Sequence, residues 1–286
     1  MGVGCTVTAT GPDSAVLVHR CLDQVAALEQ LWSRFIGHSD LSRLNNSRGT
    51  PLWVDDRTVA LLHHMVDAHR LTDGAFNPAL LPLQVAAGDA SSLVDSGTTL
   101  IPPDASADAR VGDIGFLEDG RVRFPAGLTV DAGGIAKGFA ADLVVAWARA
   151  NGADGICVNI GGDMAIDTGD DSGWNVEIIS PLSGELTATV HVSRGGVATS
   201  AVNARHRNGG IPSHIFTADG AVAVDRVIGA TVIAATGAWA ESWTKAAIVG
   251  ETSTVLAALE SHGLAGMVTA ADGSVRTTST WNGFIS

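Results

Sequence analysis

The stretch richest in chemistry is Asp131-Ala132-Gly133-Gly134-Ile135-Ala136-Lys137-Gly138, which sets an acid, three glycines and a lysine within eight residues. Glycines let a backbone come close to a ligand, and a helix N-terminus offers unpaired N–H groups to an anion. Lys137 adds a point charge suited to phosphate. Asp131 is placed beside this turn as a hydrogen-bond acceptor or an indirect metal partner. The turn is not a Walker A loop, since no Gly-Lys-Ser/Thr follows four variable residues, and it lacks the Gly-x-Gly-x-x-Gly spacing of dinucleotide sites. From these residues alone a strand-to-helix turn with only a packing role reads equally well.

The elements around it must decide. Leu128 to Val130 reads as a short strand entering the turn. Phe139, Leu143 and Trp147 recur at spacing four and predict a helix leaving it, stopped by Asn151-Gly152. Upstream, Val3 to Thr8 and Ala15 to Val18 predict a hairpin around Gly11-Pro12-Asp13. A helix follows with Cys21, Val25, Leu28 and Trp32 on one face, and Phe35 to Asn45 reads as a polar loop with apolar anchors. Thr58 to Thr72 predicts a second amphipathic helix. Its His63, His64 and His69 read as surface residues, having no acidic partner at ligand spacing. Asp73-Gly74-Ala75-Phe76-Asn77-Pro78 is a strongly punctuated turn, and residues 84–126 are rich in Ala, Ser, Asp and Pro.

Downstream, Gly155 to Ile160 reads as a buried strand running into Gly161-Gly162-Asp163. Trp174 to Ile178 and Ala188 to Val192 alternate like antiparallel strands. Gly195 to Ser200 leads to a basic run, Arg205 to Gly210, and then to short strands at Ser213 to Phe216 and at 229–235. Thr236 to Gly250 predicts a helix with Ala240, Thr244, Ala247 and Ile248 on one face, and Val255 to His262 the last one. Runs of strands separated by helices, without strict βαβ alternation, predict an α+β fold. With no internal repeat and no long linker, residues 1–286 read as one unit.

Composition narrows the function. Of 286 residues 46% are hydrophobic and 16% charged, as expected of a chain with a buried core. Seventeen basic against thirty acidic residues leave a net charge of −13, spread along the chain. Nucleic acid is therefore not an expected partner, since phosphate backbones call for clustered Lys and Arg. Cys5, Cys21 and Cys157 have no metal spacing and an odd count, and read as buried thiols. No run of eighteen apolar residues predicts a membrane span. No basic and apolar leader precedes Cys5, so the expected location of the chain as given is cytoplasmic.

Several separated motifs follow one another in an order that resembles the ApbE family of flavin transferases, the FAD:protein FMN transferases. They are Met1-Gly2, Ser39 to Asn45, Gly74 to Pro78, Asp131 to Gly138, Asn159 to Asp163, Ala198 to Ser200, Ser213-His214-Ile215 and the helix around Thr244. The resemblance implies an ApbE-like fold of mixed and antiparallel sheets with flanking helices. It implies an enzyme that binds FAD with Mg²⁺, moves FMN onto a Ser or Thr hydroxyl of a partner flavoprotein, and leaves AMP. It assigns cofactor contacts to Met1, Phe35, Ala75, Phe76, Asn77, Asp131, Lys137 and Ile215. Metal contacts fall to Gly134, Glu241 and Thr244, and the base for the acceptor hydroxyl to His214.

The chain departs from the family pattern in two places. An Asp usually stands four residues before the ligand Thr, and here that position is Ala240. Glu241, three before Thr244, is expected to reach the same metal; the alternative is that the carboxylate is lost and Mg²⁺ binds weakly or needs the substrate phosphates. After His214 the usual Ile-Ile-Asp-Pro is replaced by Ile215-Phe216-Thr217-Ala218-Asp219, without the proline, and Ala201 replaces a usual glycine. A non-catalytic FAD carrier, and an FAD pyrophosphatase releasing AMP and FMN, are the alternatives that these departures raise.

Overall fold

The computed structural model describes residues 3–92, 96–202 and 227–285. The chain opens with β1 (Cys5–Thr10), α1 (Ser14–Trp32), α2 (Asp40–Asn45) and α3 (Asp56–Leu71). A 3-10 turn at Pro78–Leu80 runs into α4 (Leu81–Ala86), followed by the short strands β2 (Gly115–Phe116) and β3 (Val122–Arg123). Then come α5 (Ala136–Ala150), β4 (Gly155–Ile160), β5 (Asp163–Asp167), β6 (Trp174–Ile179), β7 (Leu186–Val192) and β8 (Arg194–Ala201). The rest is β9 (Val227–Ala234), α6 (Gly237–Val249), α7 (Thr252–Ser261), β10 (Ala265–Ala270) and β11 (Val275–Thr277).

Seven strands form the main sheet in the order β1-β4-β5-β8-β9-β10-β11, each paired antiparallel with its neighbour. α5 and α6 pack on one face, α5 over β4 and β5, α6 over β8 and β9. The β6–β7 hairpin and Trp281 close the other face through Val176, Ile178, Val190 and Val192. β9 is buried at every position, as a central strand covered on both faces must be. Beyond α5 a second apolar layer brings Leu17, Cys21, Val25, Leu28 and Trp32 of α1 against Phe139 and the buried side of α3. The expected α+β class, with antiparallel sheets and flanking helices, is the observed one.

Four local expectations fail for identifiable reasons. Ala15 to Val18 is no hairpin arm: α1 begins at Ser14, and its apolar stripe already starts at Leu17. β1 pairs instead with β4, about 150 residues away, which local turn signals cannot announce. The Phe35–Asn45 loop contains α2, because Ser39 Oγ accepts the Ser42 N–H at 3.1 Å and caps it. Leu128 to Val130 is extended but joins no strand. Asn45 pairs with it, donating to Val130 O at 2.9 Å and accepting from Val130 N at 2.8 Å, as a strand neighbour would. α5 also buries a different face from the one its large residues mark. Ala140, Ala141, Val144, Val145 and Ala148 are its packed surface, with Leu143 and Trp147 half-buried.

That small-residue surface ends in an unusually close contact. A Cβ on Gly138 would lie 2.1 Å from the Gly237 carbonyl oxygen, and one on Gly196 would lie 2.3 Å from Gly237 N. The obstructing atoms are backbone, so no side-chain rotation relieves them. We expect Gly138→Ala to cost about 2–4 kcal/mol, in the range of overpacking and backbone clashes, as read from urea unfolding. Ala141→Gly on the same helix should cost no more than about 1 kcal/mol from propensity alone, plus the lost methyl contacts.

Candidate active site

Two turns meet at the N-terminus of α5. The first, Gly74–Pro78, follows α3 through Asp73 and Gly74, which have φ of 51° and 80°. Thr72 Oγ1 accepts the Phe76 N–H at 2.9 Å, and Asn77 Oδ1 accepts the Ala79 N–H at 3.0 Å. His69 Nδ1 lies 2.9 Å from the Phe76 carbonyl, which can only accept, so Nδ1 carries the proton. The second turn, Asp131–Ile135, is tied to the first by the Asp131 N–H, which donates to Pro78 O at 2.9 Å. Phe76 is buried, and a Cβ on Gly134 would lie 2.9 Å from its ring. Gly134 is glycine because that ring needs the space. Ala75 and Asn77 are half-buried beside it.

The expectation of three surface histidines holds for His63, which is exposed, and is corrected for His64 and His69, which are half-buried. His69 holds the Phe76 carbonyl, His64 lies half-buried with its ring 4.5 Å from that of Phe139, and His63 stacks on Phe116. Burial lowers the His64 pKa from its ordinary value.

Phe35 stands half-buried past the end of α1, with the Arg34 guanidinium 4.3 Å above its ring. Arg34 is buried, and its Nε lies 3.3 Å from Asp131 Oδ1 while its Nη groups meet Asp89 and Thr99. Arg34 thus links the aromatic and the acid that sequence reading singled out separately.

Lys137 does not extend over the glycine turn. Its ammonium hydrogen-bonds the carboxylates of Asp163, at the start of β5, and Glu241, on α6. All three side chains are buried. Burial alone would lower the lysine's pKa, but the two carboxylates outweigh it and hold it above the ordinary lysine range. Burial and then the Asp163 charge push the Glu241 carboxyl up, against the pull of Lys137, Lys245 and the Gly138 N–H. Glu241 Oε2 accepts that N–H at 2.8 Å, which caps α5 with a carboxylate from α6. Asp142 of α5 does the reverse, accepting from Gly237 N at 2.7 Å and Ala238 N at 2.9 Å. Asp163 Oδ1 is buried without a hydrogen-bond partner among the described residues.

Thr244 is fully buried. Its hydroxyl donates to Glu241 O at 2.7 Å and lies 2.8 Å from Ser200 Oγ. Lys245, which sequence reading passed over, donates to Ser200 Oγ at 2.6 Å and lies 3.3 Å from Thr244 Oγ1 and 3.8 Å from Glu241 Oε1. A Cβ on Gly134 would come within 3.4 Å of its Cγ. The signal for Lys245 was available: Glu241 and Lys245 are an i,i+4 acid–base pair on one helix face. Ala240 turns instead to Ala198 and Ala234 of the sheet. Met1, His214 and Ile215, and with them Asp219 and the strand expected at Ser213 to Phe216, lie outside the described residues.

The ApbE family model matches residues 1–268. The chain belongs to the ApbE family. A curated relative, the FAD:protein FMN transferase of Treponema pallidum (strain Nichols), is 30% identical over 184 residues, covering 57% of this chain and 49% of the relative. The chain thus matches about half the length of that protein. Among solved structures, the ApbE protein from Thermotoga maritima MSB8 superposes with a TM-score of 0.85 at 21% identity, over 100% of this chain and 96% of that one. The flavin transferase ApbE from Vibrio cholerae gives 0.81 at 20%, over 100% and 96%. The flavinyl transferase ApbE from Pseudomonas stutzeri, in its apo form, gives 0.80 at 21%, over 99% and 96%. These likenesses establish the ApbE fold.

The family resemblance led to Mg²⁺ on Gly134, Glu241 and Thr244, and the donors present do not fit it. Mg²⁺ takes six oxygens near 2.0–2.1 Å, most often carboxylate, water and phosphate. Here both Glu241 oxygens are engaged by Lys137 and the Gly138 N–H, and the Thr244 hydroxyl proton is given to the helix backbone. An ammonium stands where those donors converge. Among the described residues no three His, Cys, Asp or Glu side chains form a metal-holding group, and no helix is long and apolar enough to cross a membrane.

The buried charges yield two expectations. Lys137→Met removes the ammonium that Asp163 and Glu241 share, and should lower stability by about 3–5 kcal/mol in urea unfolding. Burial pushes the Asp142 carboxyl up to about 6, more than its two backbone N–H bonds pull it down. The fold therefore favours protonated Asp142. Its contribution is fully present below the unfolded carboxylate pKa of about 3.9 and is lost as pH rises through about 6. Asp142→Asn should flatten that segment of the stability–pH curve, by an amount on the order of 1–3 kcal/mol.

Proposed function

We propose that this chain moves FMN from FAD onto a serine or threonine hydroxyl of a partner flavoprotein, with AMP as the leaving group. One observation carries the reading. The Asp131–Gly138 turn is set between an aromatic ring, Phe76, and a group of two ammoniums and two carboxylates at the meeting of two helix N-termini. An apolar ring beside a glycine-rich turn at a helix N-terminus suits a molecule that joins a flat heterocycle to a diphosphate. Family membership supports it, as does the name of the curated relative, FAD:protein FMN transferase.

In this reading Phe35, Ala75, Phe76 and Asn77 hold the flavin, and the Gly133-Gly134 backbone receives the diphosphate. Arg34 and Asp131 fix the two turns relative to each other. The acceptor oxygen attacks the FMN phosphorus, the bond from that phosphorus to the bridging oxygen breaks, and AMP departs with that oxygen. The acceptor proton goes to His214, a role assigned from the sequence resemblance. Such a transfer asks of the protein mostly positioning and neutralisation of phosphate charge. The Mg²⁺ named by the resemblance has no step here, since the donor set does not fit it.

The test is intact-mass analysis of candidate acceptor flavoproteins incubated with the chain, FAD and Mg²⁺, with AMP measured in parallel. An acceptor heavier by one FMN, matched by equimolar AMP, is expected. AMP and free FMN without an adduct would make the chain a pyrophosphatase, and retained FAD without AMP would make it a carrier. His214→Ala should slow transfer by about 10²–10⁴-fold, the usual contribution of a general base, with FAD affinity held within about twofold.

A further inference from the structure

One buried guanidinium, that of Arg34, touches two of the residues expected to contact the cofactor, Phe35 and Asp131. Its Cζ lies 4.3 Å from the centre of the Phe35 ring, and its Nε lies 3.3 Å from Asp131 Oδ1 in the glycine turn. Its other nitrogens turn to the segment after α4. Nη1 donates to Asp89 O at 2.7 Å and to Thr99 Oγ1 at 2.8 Å, and Nη2 lies 3.0 Å from Asp89 Oδ1. Asp89 and Thr99 are held close together there, since the Thr99 N–H donates to Ala90 O at 2.7 Å and Ser91 bridges Thr98. The Arg34 backbone is tied as well, its carbonyl accepting the Ser42 hydroxyl of α2 at 3.3 Å. A guanidinium is a rigid planar fork whose donors leave from its edge, so contacts from all three nitrogens fix its plane. The Phe35 ring is drawn to that plane, because a cation over an aromatic face is attracted by the ring quadrupole.

We propose that Arg34 is a positioning residue for the flavin ring: it sets the plane of Phe35 relative to Asp131 and the glycine turn, and makes Asp89 and Thr99 part of the same wall. The inference rests on the flavin-transferase reading above. A flat heterocycle gains from an aromatic neighbour when the two rings are offset-stacked or edge to face, so the plane of Phe35 matters. Phe35 has no hydroxyl through which a hydrogen bond could orient it, which leaves packing and the guanidinium to do so. Lysine at position 34 would keep the charge and lose the fork, being a point charge on a flexible stem.

The experiment is FAD titration by flavin fluorescence with Mg²⁺ present, for the wild-type chain, Arg34→Lys and Arg34→Met, followed by visible circular dichroism of each saturated complex. The visible bands arise from the flavin alone and report how its ring is held. Both variants should weaken FAD binding by about tenfold, the loss of one well-placed stacking contact. Both should also lose most of the wild-type flavin dichroism even at saturating FAD. Melting curves establish that each variant is folded, and if Arg34→Met fails to fold, Arg34→Lys decides. A structural role alone would lower the melting temperature and leave the dichroism at saturation as in the wild type. That outcome would overturn the proposal while leaving the transferase reading intact. So would Arg34→Lys with wild-type affinity, since a point charge would then suffice. A wild-type chain that binds no FAD would overturn both.

Discussion

The site depends on two helix N-termini being allowed to touch. Gly138 near the start of α5, Gly237 at the start of α6 and Gly196 on β8 press backbone against backbone, with no room for a Cβ on the first or the last. Each helix end carries unpaired N–H groups and partial positive charge, which would ordinarily keep two such ends apart. Here each helix lends the other a carboxylate. Asp142 of α5 accepts from the first N–H groups of α6, and Glu241 of α6 accepts from Gly138 of α5. The exchange satisfies donors that neither helix could satisfy alone, and brings Glu241 against Lys137. Steric permission comes from the glycines, and electrostatic permission from the exchanged acids.

Once the ends are joined, the two lysines divide their work by their partners. Lys137 is held between two buried carboxylates and is committed to the fold, since a buried ammonium without them would be costly. Lys245 donates to Ser200 Oγ and lies 3.3 Å from Thr244 Oγ1 and 3.8 Å from Glu241 Oε1. The lysine inside the glycine-rich motif is thus a structural one.

Sequence periodicity made α1, α3, β4 and the β6–β7 pair legible, because in each the buried positions recur at the period of the element. It misled where partners are distant or small. β1 belongs with β4, α5 packs through alanines and valines that carry weak apolar signals, and Val130 is paired by the side chain of Asn45. In the site, types and neighbourhoods were legible: Phe76 beside Gly134, Asp131 beside the turn, and Glu241 in place of an acid at 240. Directions were not. Nothing in the order of residues says that Lys137 turns inward to Asp163, or that Arg34 reaches from the end of α1 to Asp131.

The acid missing at position 240 is also resolved by direction. Ala240 is fully buried against Ala198 and Ala234, where the sheet leaves space for a methyl group. A carboxylate there would be set against the methyl groups of these alanines, at a desolvation cost. One residue later the helix has turned by about 100°, and Glu241 emerges among Lys137, Lys245 and the Gly138 N–H. The residue one turn beyond Glu241 is Lys245, not Thr244, so position 245 shares the site-facing side of the helix with the acid. A pattern that expects an acid followed four residues later by a cation-binding group therefore finds its acid at 241. Four residues on, it finds Lys245, whose ammonium lies 3.8 Å from that acid.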